Sequence, residues 1–538
     1  MVGVALLGLV IVGSQLQKQR LRVHHELAAP SADIHNVVDR VNAEFESVWQ
    51  SQKLQHATPA DHLLVARRLS LALTGKVPSL EEIRAFEKID EGKRIVWWLQ
   101  HLLSDRRCSD YVAERLARAY VGTENGPFIV FRRRRFVSWL SDQLLENRPY
   151  DEIVRSLIGD RGLWTDSPGI NFITVTNDTN EEGQPDPARL AARTTRAFLG
   201  VRLDCMQCHD DNLGGDWKQS DFHELAAFFA EARTSGLGIQ DTDRDYEFTY
   251  LDEEESETVS PQVPFADDLL VDAETRRDQL ANWVTHRDNH AFARATVNRV
   301  WAIMFGRPLI EPIDDIPLEG PYPGGLQTLA DDFAEHDYDL RRLITQIALT
   351  QVFQQNSRAD FAVTDDHEKY WTVFPISRLR PEQVAGSIVQ SASLPTIDSS
   401  SHVLRQFIAN TEVSEFVKRY GDTGEDEFED RGGTIPQRLV MLNGDLVKER
   451  TKDDVFFNAA TRIAQQVRDD EKAIESAFLV ALTRLPTDIE RDHFVKQLTD
   501  SEGSRAEAME DVFWSLLNST EFCWNHCCLL YTSDAADE

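Results

Sequence analysis

Apolar residues recur at helical spacing through most of this 538-residue chain, and that spacing confines it to folds built from packed helices. In "HLLVARRLSLALTG" (62–75), Leu63, Ala66, Leu69 and Leu73 follow that spacing, and Gly75 offers a C-terminal stop before Pro78. "SLEEIRAFEKI" opens a second helix, with Ser79 as N-cap and Glu82 at the capping-box position. Residues 134–159 read as two helices separated near Pro149, and 276–306, 339–357 and 473–498 as further helical regions. Period-two alternation is scarce, with "GINFITVT" (169–176) and "YEFTYL" (246–251) the better strand candidates. The expected fold class is mainly α: two helical domains with minor β content.

A hydrophobic content of 41% is enough for two or three cores, and 27 Phe with 11 Trp supply burial that disordered chains lack. Lys plus Arg total 57 against 90 Asp plus Glu, a net charge of −33 that repels phosphate and argues against a nucleic-acid partner. The most acidic stretch, 240–268, reads as a surface connection between a first domain, 59–239, and a second, 269–526. Residues 1–58 hold an apolar segment and a linker. The opening "MVGVALLGLVIVG" is shorter than the roughly 20 residues that span a bilayer and has no basic leader. It reads either as a buried strand or helix end, or as a shortened signal sequence or N-terminal membrane anchor. The abrupt polar sequence after Gly13 favours the signal or anchor, while Lys18, Arg20 and Arg22 oppose export. Residues 527–538 end in "CLLYTSDAADE", which reads as translated sequencing adapter and is set aside from fold reasoning.

The six cysteines are too sparse for a disulfide scaffold, yet two of them fall in Cys205-Met206-Gln207-Cys208-His209. Chance placement of this chain's Cys and His predicts about 0.002 copies of C-x-x-C-H, so the motif is specific. Two thiols at this spacing can each add across one haem vinyl group, with the following histidine under the iron. Cys205 and Cys208 would then be the thioether anchors of a covalent haem c, and His209 the proximal iron ligand. Met206, Met304, Met441, Met509 and His223 are the candidates for the opposite axial position, none marked by sequence, and a five-coordinate haem would leave an open site. Two other readings stay open. One is a redox or structural disulfide between the pair. The other is a metal such as zinc, bound by the pair with His209, His223, Asp210 or Asp211, although no second C-x-x-C completes a tetrahedral set.

Two long stretches resemble known families. With "RRLSLALTGKVPSLEEIRAF", "NRPYDEIVRSLI", "TNDTNEEGQPDPARLAARTTRAFLGVRLDCMQCHDD" and "DWKQSDFHELAAFF", residues 59–234 resemble the planctomycete cytochrome-like secreted domain of unknown function. With "FARATVNRVWAIMFGRPLIEPIDDI", "RLRPEQVAGSIVQ", "GGTIPQRLVMLNGD" and "VALTRLPTDIE", residues 276–526 resemble the second planctomycete domain that follows it. The resemblance implies a C-x-x-C-H site and a periplasmic, secreted or outward-facing membrane-anchored location, with no assigned reaction. It carries over Cys205, Cys208 and His209 only. The commoner family pattern places a second histidine where this chain has Asp211.

Outside the motif, Glu181, Glu182 and Asp186 sit in "TNDTNEEGQPDP", where they read as a hard-cation or acid–base cluster, or as a polar turn with Asp186 capping a helix that begins at Pro187. The run "FRRRRF" (131–136) reads as arginines pairing with the chain's own carboxylates. Asn298, Arg299, Trp301, Asp314 and Asp315 read either as an active-site cluster or as an arginine–acid brace. Three functional expectations result. The first is a haem protein exchanging electrons with a redox partner, for which the acidic surface suits a basic one. The second is a secreted enzyme acting on extracellular polymers, and the third a non-catalytic surface protein with structural cysteines.

Overall fold

The computed structural model describes residues 30–123, 133–177, 183–211, 217–250, 253–398, 401, 428, 447–448, 451, 458–501 and 503–525. The N-terminal apolar segment and the adapter-like tail lie outside these residues. The structure is mainly α: among the described residues 60% are helical and 5% in strands, and the two sheets there are small antiparallel pairs.

Helix α1 (Ala32–Gln52) buries Val37, Val41, Phe45 and Trp49 along one stripe. Helix α2 (His62–Thr74) begins at the Asp61 cap and ends at Gly75, whose φ of 65° is the left-handed stop expected from sequence. Helix α3 (Leu80–Phe86) has the expected capping box between Ser79 and Glu82. After α4 (Arg94–Leu103) and α5 (Arg106–Val121), Pro149 separates α6 (Arg133–Leu145) from α7 (Tyr150–Gly159), as expected. The stretch 169–176, expected as a strand, is instead a 3-10 turn at Pro168–Ile170 followed by the short helix α8 (Asn171–Thr174). Its consecutive residues Ile170, Asn171, Phe172 and Ile173 are all buried, so neither face is left for the alternation of a strand.

Helix α9 (Pro187–Thr194) runs into a π-helical turn at Thr195–Leu199, and α10 (Gln219–Ala226) follows. Strands β1 (Ala232–Ser235) and β2 (Gly238–Asp241) form one hairpin. Strand β3 (Tyr246–Phe248), inside the second expected strand, pairs antiparallel with β4 (Glu257–Val259).

Beyond the acidic stretch, the periodic region 276–306 splits into α11 (Arg276–Val284) and α12 (His290–Phe305), the break held by Asn289 Nδ2 donating to the Trp283 carbonyl at 3.0 Å. Helices α13 (Leu326–Glu335), α14 (Leu340–Leu349) and α15 (Gln351–Gln354) return to cover α1. Helices α16 (Asp365–Lys369) and α17 (Pro381–Ser391) lead to α18 (Ala459–Gln466), α19 (Asp470–Leu482), α20 (Asp488–Asp500) and α21 (Arg505–Leu517), which pack on one another.

Among the described residues, two hydrophobic clusters result. The larger draws on residues from Val37 to Phe374, on both sides of the 240–268 stretch. The smaller is built mainly from Leu379 to Cys523, with Leu71 and Val77 reaching into it. Helix α2 belongs to both. Arg67 on it is buried and donates to the carbonyls of Ala481 and Phe522 at 3.2 and 3.4 Å. Its neighbour Arg68 donates to the Gln355 carbonyl at 2.6 Å and stacks 3.6 Å over Phe374, and burial pushes its pKa down to about 9.

Candidate functional site

The approach to the cysteine motif is set by Gly200, which ends the π-helical turn at φ +63°. A Cβ there would lie 2.9 Å from Ile316 Cδ1, and the Gly200 carbonyl accepts from Ile316 N at 2.7 Å, so only glycine fits. Leu203 then enters the core, and a 3-10 turn covers Asp204–Gln207. Within this turn Met206 is buried at 5% exposure and pins the loop, while Cys205, Gln207, Cys208 and His209 are exposed. Both motif cysteines are free thiols.

Helix α10 holds the middle of the motif. The Gln207 carbonyl accepts from His223 Nε2 and from Gln219 Nε2, each at 3.1 Å. Because His223 donates through Nε2, its Nδ1 accepts from the Tyr246 hydroxyl, 3.0 Å away. The ring stacks on Phe248 with centroids 3.4 Å apart and meets the edge of Tyr250. Burial lowers the His223 pKa, against the opposing pull of the Gln207 carbonyl, and favours the neutral tautomer this arrangement needs. At the end of the motif, His209 Nδ1 donates to the Asp210 carbonyl at 2.7 Å, and the residue is exposed. Asp210 Oδ1 accepts from Gln219 N at 2.8 Å, tying the same loop to the start of α10.

The candidates for an opposite axial ligand are otherwise engaged. Met206, Met304 and Met509 are packed into the cores and both nitrogens of His223 are bonded; Met441 lies outside the described residues. The metal alternative also finds no cluster: among the described residues, the motif cysteines, His209, Asp210, Asp211 and His223 form no group whose ligand atoms converge. The groups that do converge, Asp33–Asp332–His336 and Glu82–His101–Asp105, each hold a guanidinium, from Arg342 and Arg107.

Glu181 and Glu182 lie outside the described residues. Asp186 is the N-cap of α9, accepting from Arg189 N at 3.2 Å. In the arginine run, Arg133 grips Glu114 with both terminal nitrogens at 2.9 Å and Arg135 lies over Trp164. The second-domain residues are dispersed into structural tasks. Asn298 exchanges two 3.0 Å hydrogen bonds with the backbone of Ile310, and Trp301 is stacked between Phe45 and Phe305. Arg299 lines a mostly apolar cavity of about 40 Å³, together with Cys108 and Met304.

Asp314, expected as a catalytic carboxylate or brace, has both oxygens taken. Arg196 Nε reaches Oδ2 at 2.6 Å, and Arg202 Nε reaches Oδ1 at 2.8 Å. Burial alone would raise its pKa, but the hydrogen bond from Arg202 and the charge of Arg196 outweigh it and hold the carboxyl below its ordinary value. Asp315 is exposed. Sequence reasoning missed Arg196, Arg202 and Gln219, whose contacts are set by tertiary packing.

Among the described residues, no helix is long and apolar enough to cross a membrane. No curated protein and no solved structure matches the chain. Residues 40–234 match the family model PSCyt2, described as a protein of unknown function (DUF1549), and residues 276–414 match PSD1, described as a protein of unknown function (DUF1553). The first match thus starts ahead of the stretch in which the resemblance was read, and the second stops well before residue 526. The site just described, with its cysteine motif in one matched region and the Asp314 hold in the other, therefore belongs to a chain that carries two domains of unknown function in tandem.

Proposed function

We propose that the chain is a c-type-cytochrome-like protein working outside the cytoplasm, with haem attached at Cys205 and Cys208, His209 as iron ligand, and an electron-transfer role. The observation that carries this reading is the state of the motif: two free, exposed thiols, followed by an exposed histidine whose Nδ1 is anchored on a backbone carbonyl. Anchoring Nδ1 fixes the ring and the tautomer that offers Nε2 to a metal. Bound there, haem would supply one-electron redox chemistry. The chain's own part is to present the thiols, orient His209 and hold the turn through the Gln207 carbonyl. Asp204, Asp210 and Asp211 at the motif, within a net charge of −33, suit a basic redox partner.

The test is a pyridine haemochrome spectrum with denaturing-gel haem staining, on protein exported through a c-type maturation system. The expected result is a c-type band that disappears in the Cys205→Ala/Cys208→Ala double variant. Colourless protein from a host that matures a control cytochrome would overturn the reading. A single Cys205–Cys208 disulfide in that material would point to thiol–disulfide exchange instead.

A further inference from the structure

The loop that follows α12 reaches across from the PSD1-matched region to the residues just before the cysteine motif. Its path is fixed by the paired hydrogen bonds between Asn298 and Ile310, and it docks through Ile316 N on the Gly200 carbonyl. Between these points Asp314, 5% exposed, binds Arg196 and Arg202, both from the PSCyt2-matched region. Arg196 has a second acidic neighbour: its Nη1 lies 3.5 Å from Oδ2 of Asp204, the residue that starts the motif's 3-10 turn and precedes Cys205.

We propose that Asp314 is a positioning residue for the cysteine motif, supplied by the second domain: it fixes Arg196 and Arg202 beside the turn and offsets their charge, so that it sets the electrostatic potential at Cys205. This extends the reading above in one respect only, that the Cys205–His209 turn is the working centre, and it holds whether or not haem is attached. The physical content is a balance of charges. Two guanidiniums stand near the motif, and Asp314 and Asp204 are the carboxylates that pair with them. Removing the Asp314 charge leaves the arginines less compensated and makes the turn, which keeps Asp204, Asp210, Asp211 and Asp315, less repulsive to anions. Removing Arg196 leaves Asp204 without that partner and makes it repel them. Both groups are partly solvated, so the effect is moderated by water and salt.

The experiment uses the full chain expressed without haem maturation, with thiols reduced, and follows alkylation of Cys205 by peptide mass spectrometry. Iodoacetate and iodoacetamide attack the same thiolate, so the ratio of their rates cancels exposure and ionisation and reports the local potential. Cys108, whose thiol is pushed up to about 12 by burial, serves as the unreactive internal reference. Asp314→Asn should raise the iodoacetate-to-iodoacetamide ratio at Cys205 about threefold at low salt, and Arg196→Gln should lower it by a similar factor. Both shifts should vanish at about 1 M salt. If Asp314 only braced the fold, its loss would speed both reagents equally and leave the ratio unchanged, which would overturn the proposal. Shifts of the same sign in the two variants would also overturn it. Should Asp314→Asn fail to fold, Arg196→Gln and Arg202→Gln carry the test, since each must lower the ratio. A colourless protein in the haem experiment leaves this measurement intact.

Discussion

Glu82 is kept ionised inside the protein by its neighbours. Its side chain is 3% exposed; Oε1 accepts from Arg107 at 2.5 Å and from His101 at 3.2 Å, and Oε2 accepts from Ser79 N at 2.9 Å. Burial would raise its pKa, but the Arg107 charge and the His101 hydrogen bond outweigh burial and hold it far below the ordinary carboxylate value. A carboxyl depressed in the folded state stabilises the fold above its unfolded pKa, near 4.3, and that stability is lost as pH falls from there through the folded value. Glu82→Gln should therefore cost about 3 kcal/mol at pH 7, with the gap to wild type narrowing below about pH 4. Urea unfolding of both proteins at pH 7 and pH 3 checks this, and an equal gap at both would refute it. The motif obeys a different residue-scale rule: Cys205, Cys208 and His209 stay exposed because Met206 alone turns inward.

Elements hold their places through a few tight backbone contacts. In the β1–β2 hairpin, Gly238 has φ +93°, and a Cβ on it would fall on the Gly162 carbonyl. Next to it, Gly162 and Ile239 exchange two 2.8 Å backbone hydrogen bonds that tie the hairpin to the segment after α7. Gly238→Ala should cost about 2–3 kcal/mol through strain and the lost bridge, whereas Gly236→Ala, with open space around its Cβ, should stay within about 0.5 kcal/mol. Denaturant midpoints of the two variants check the contrast.

The same scale explains what could be read from sequence. Helices α2 and α3 announced themselves because cap, periodic face and stop all lie within one short stretch. The 169–176 stretch did not, because burial on every side erases the pattern that distinguishes strand from helix. At the site, the motif and the Asp186 cap are local and were legible. The His223 hold on Gln207 spans 16 residues and the Arg196–Asp314 pair spans 118, and no local pattern encodes such pairings.

Across the whole molecule, α2 joins the two clusters, and Arg67 is its reach into the smaller one. Arg67→Leu removes the donor that serves the Ala481 and Phe522 carbonyls. It should destabilise the chain by about 3 kcal/mol. Hydrogen exchange should locate the loss: amides of α19 and α21 should exchange about 100-fold faster while those of α12 keep their protection. Equal loss in α12 would show that the clusters open as one unit. The larger cluster also has a consequence in time. Helix α1 is synthesised well before α13, α14 and α15, the helices of 326–354 that pack over its apolar stripe. At about 5–20 residues per second, roughly 15–55 s of synthesis separate an apolar stripe from its cover. During that interval the apolar stripe lacks the cover it has in the folded chain, so the order of synthesis, and not only the packing, sets how long this surface stays open to water.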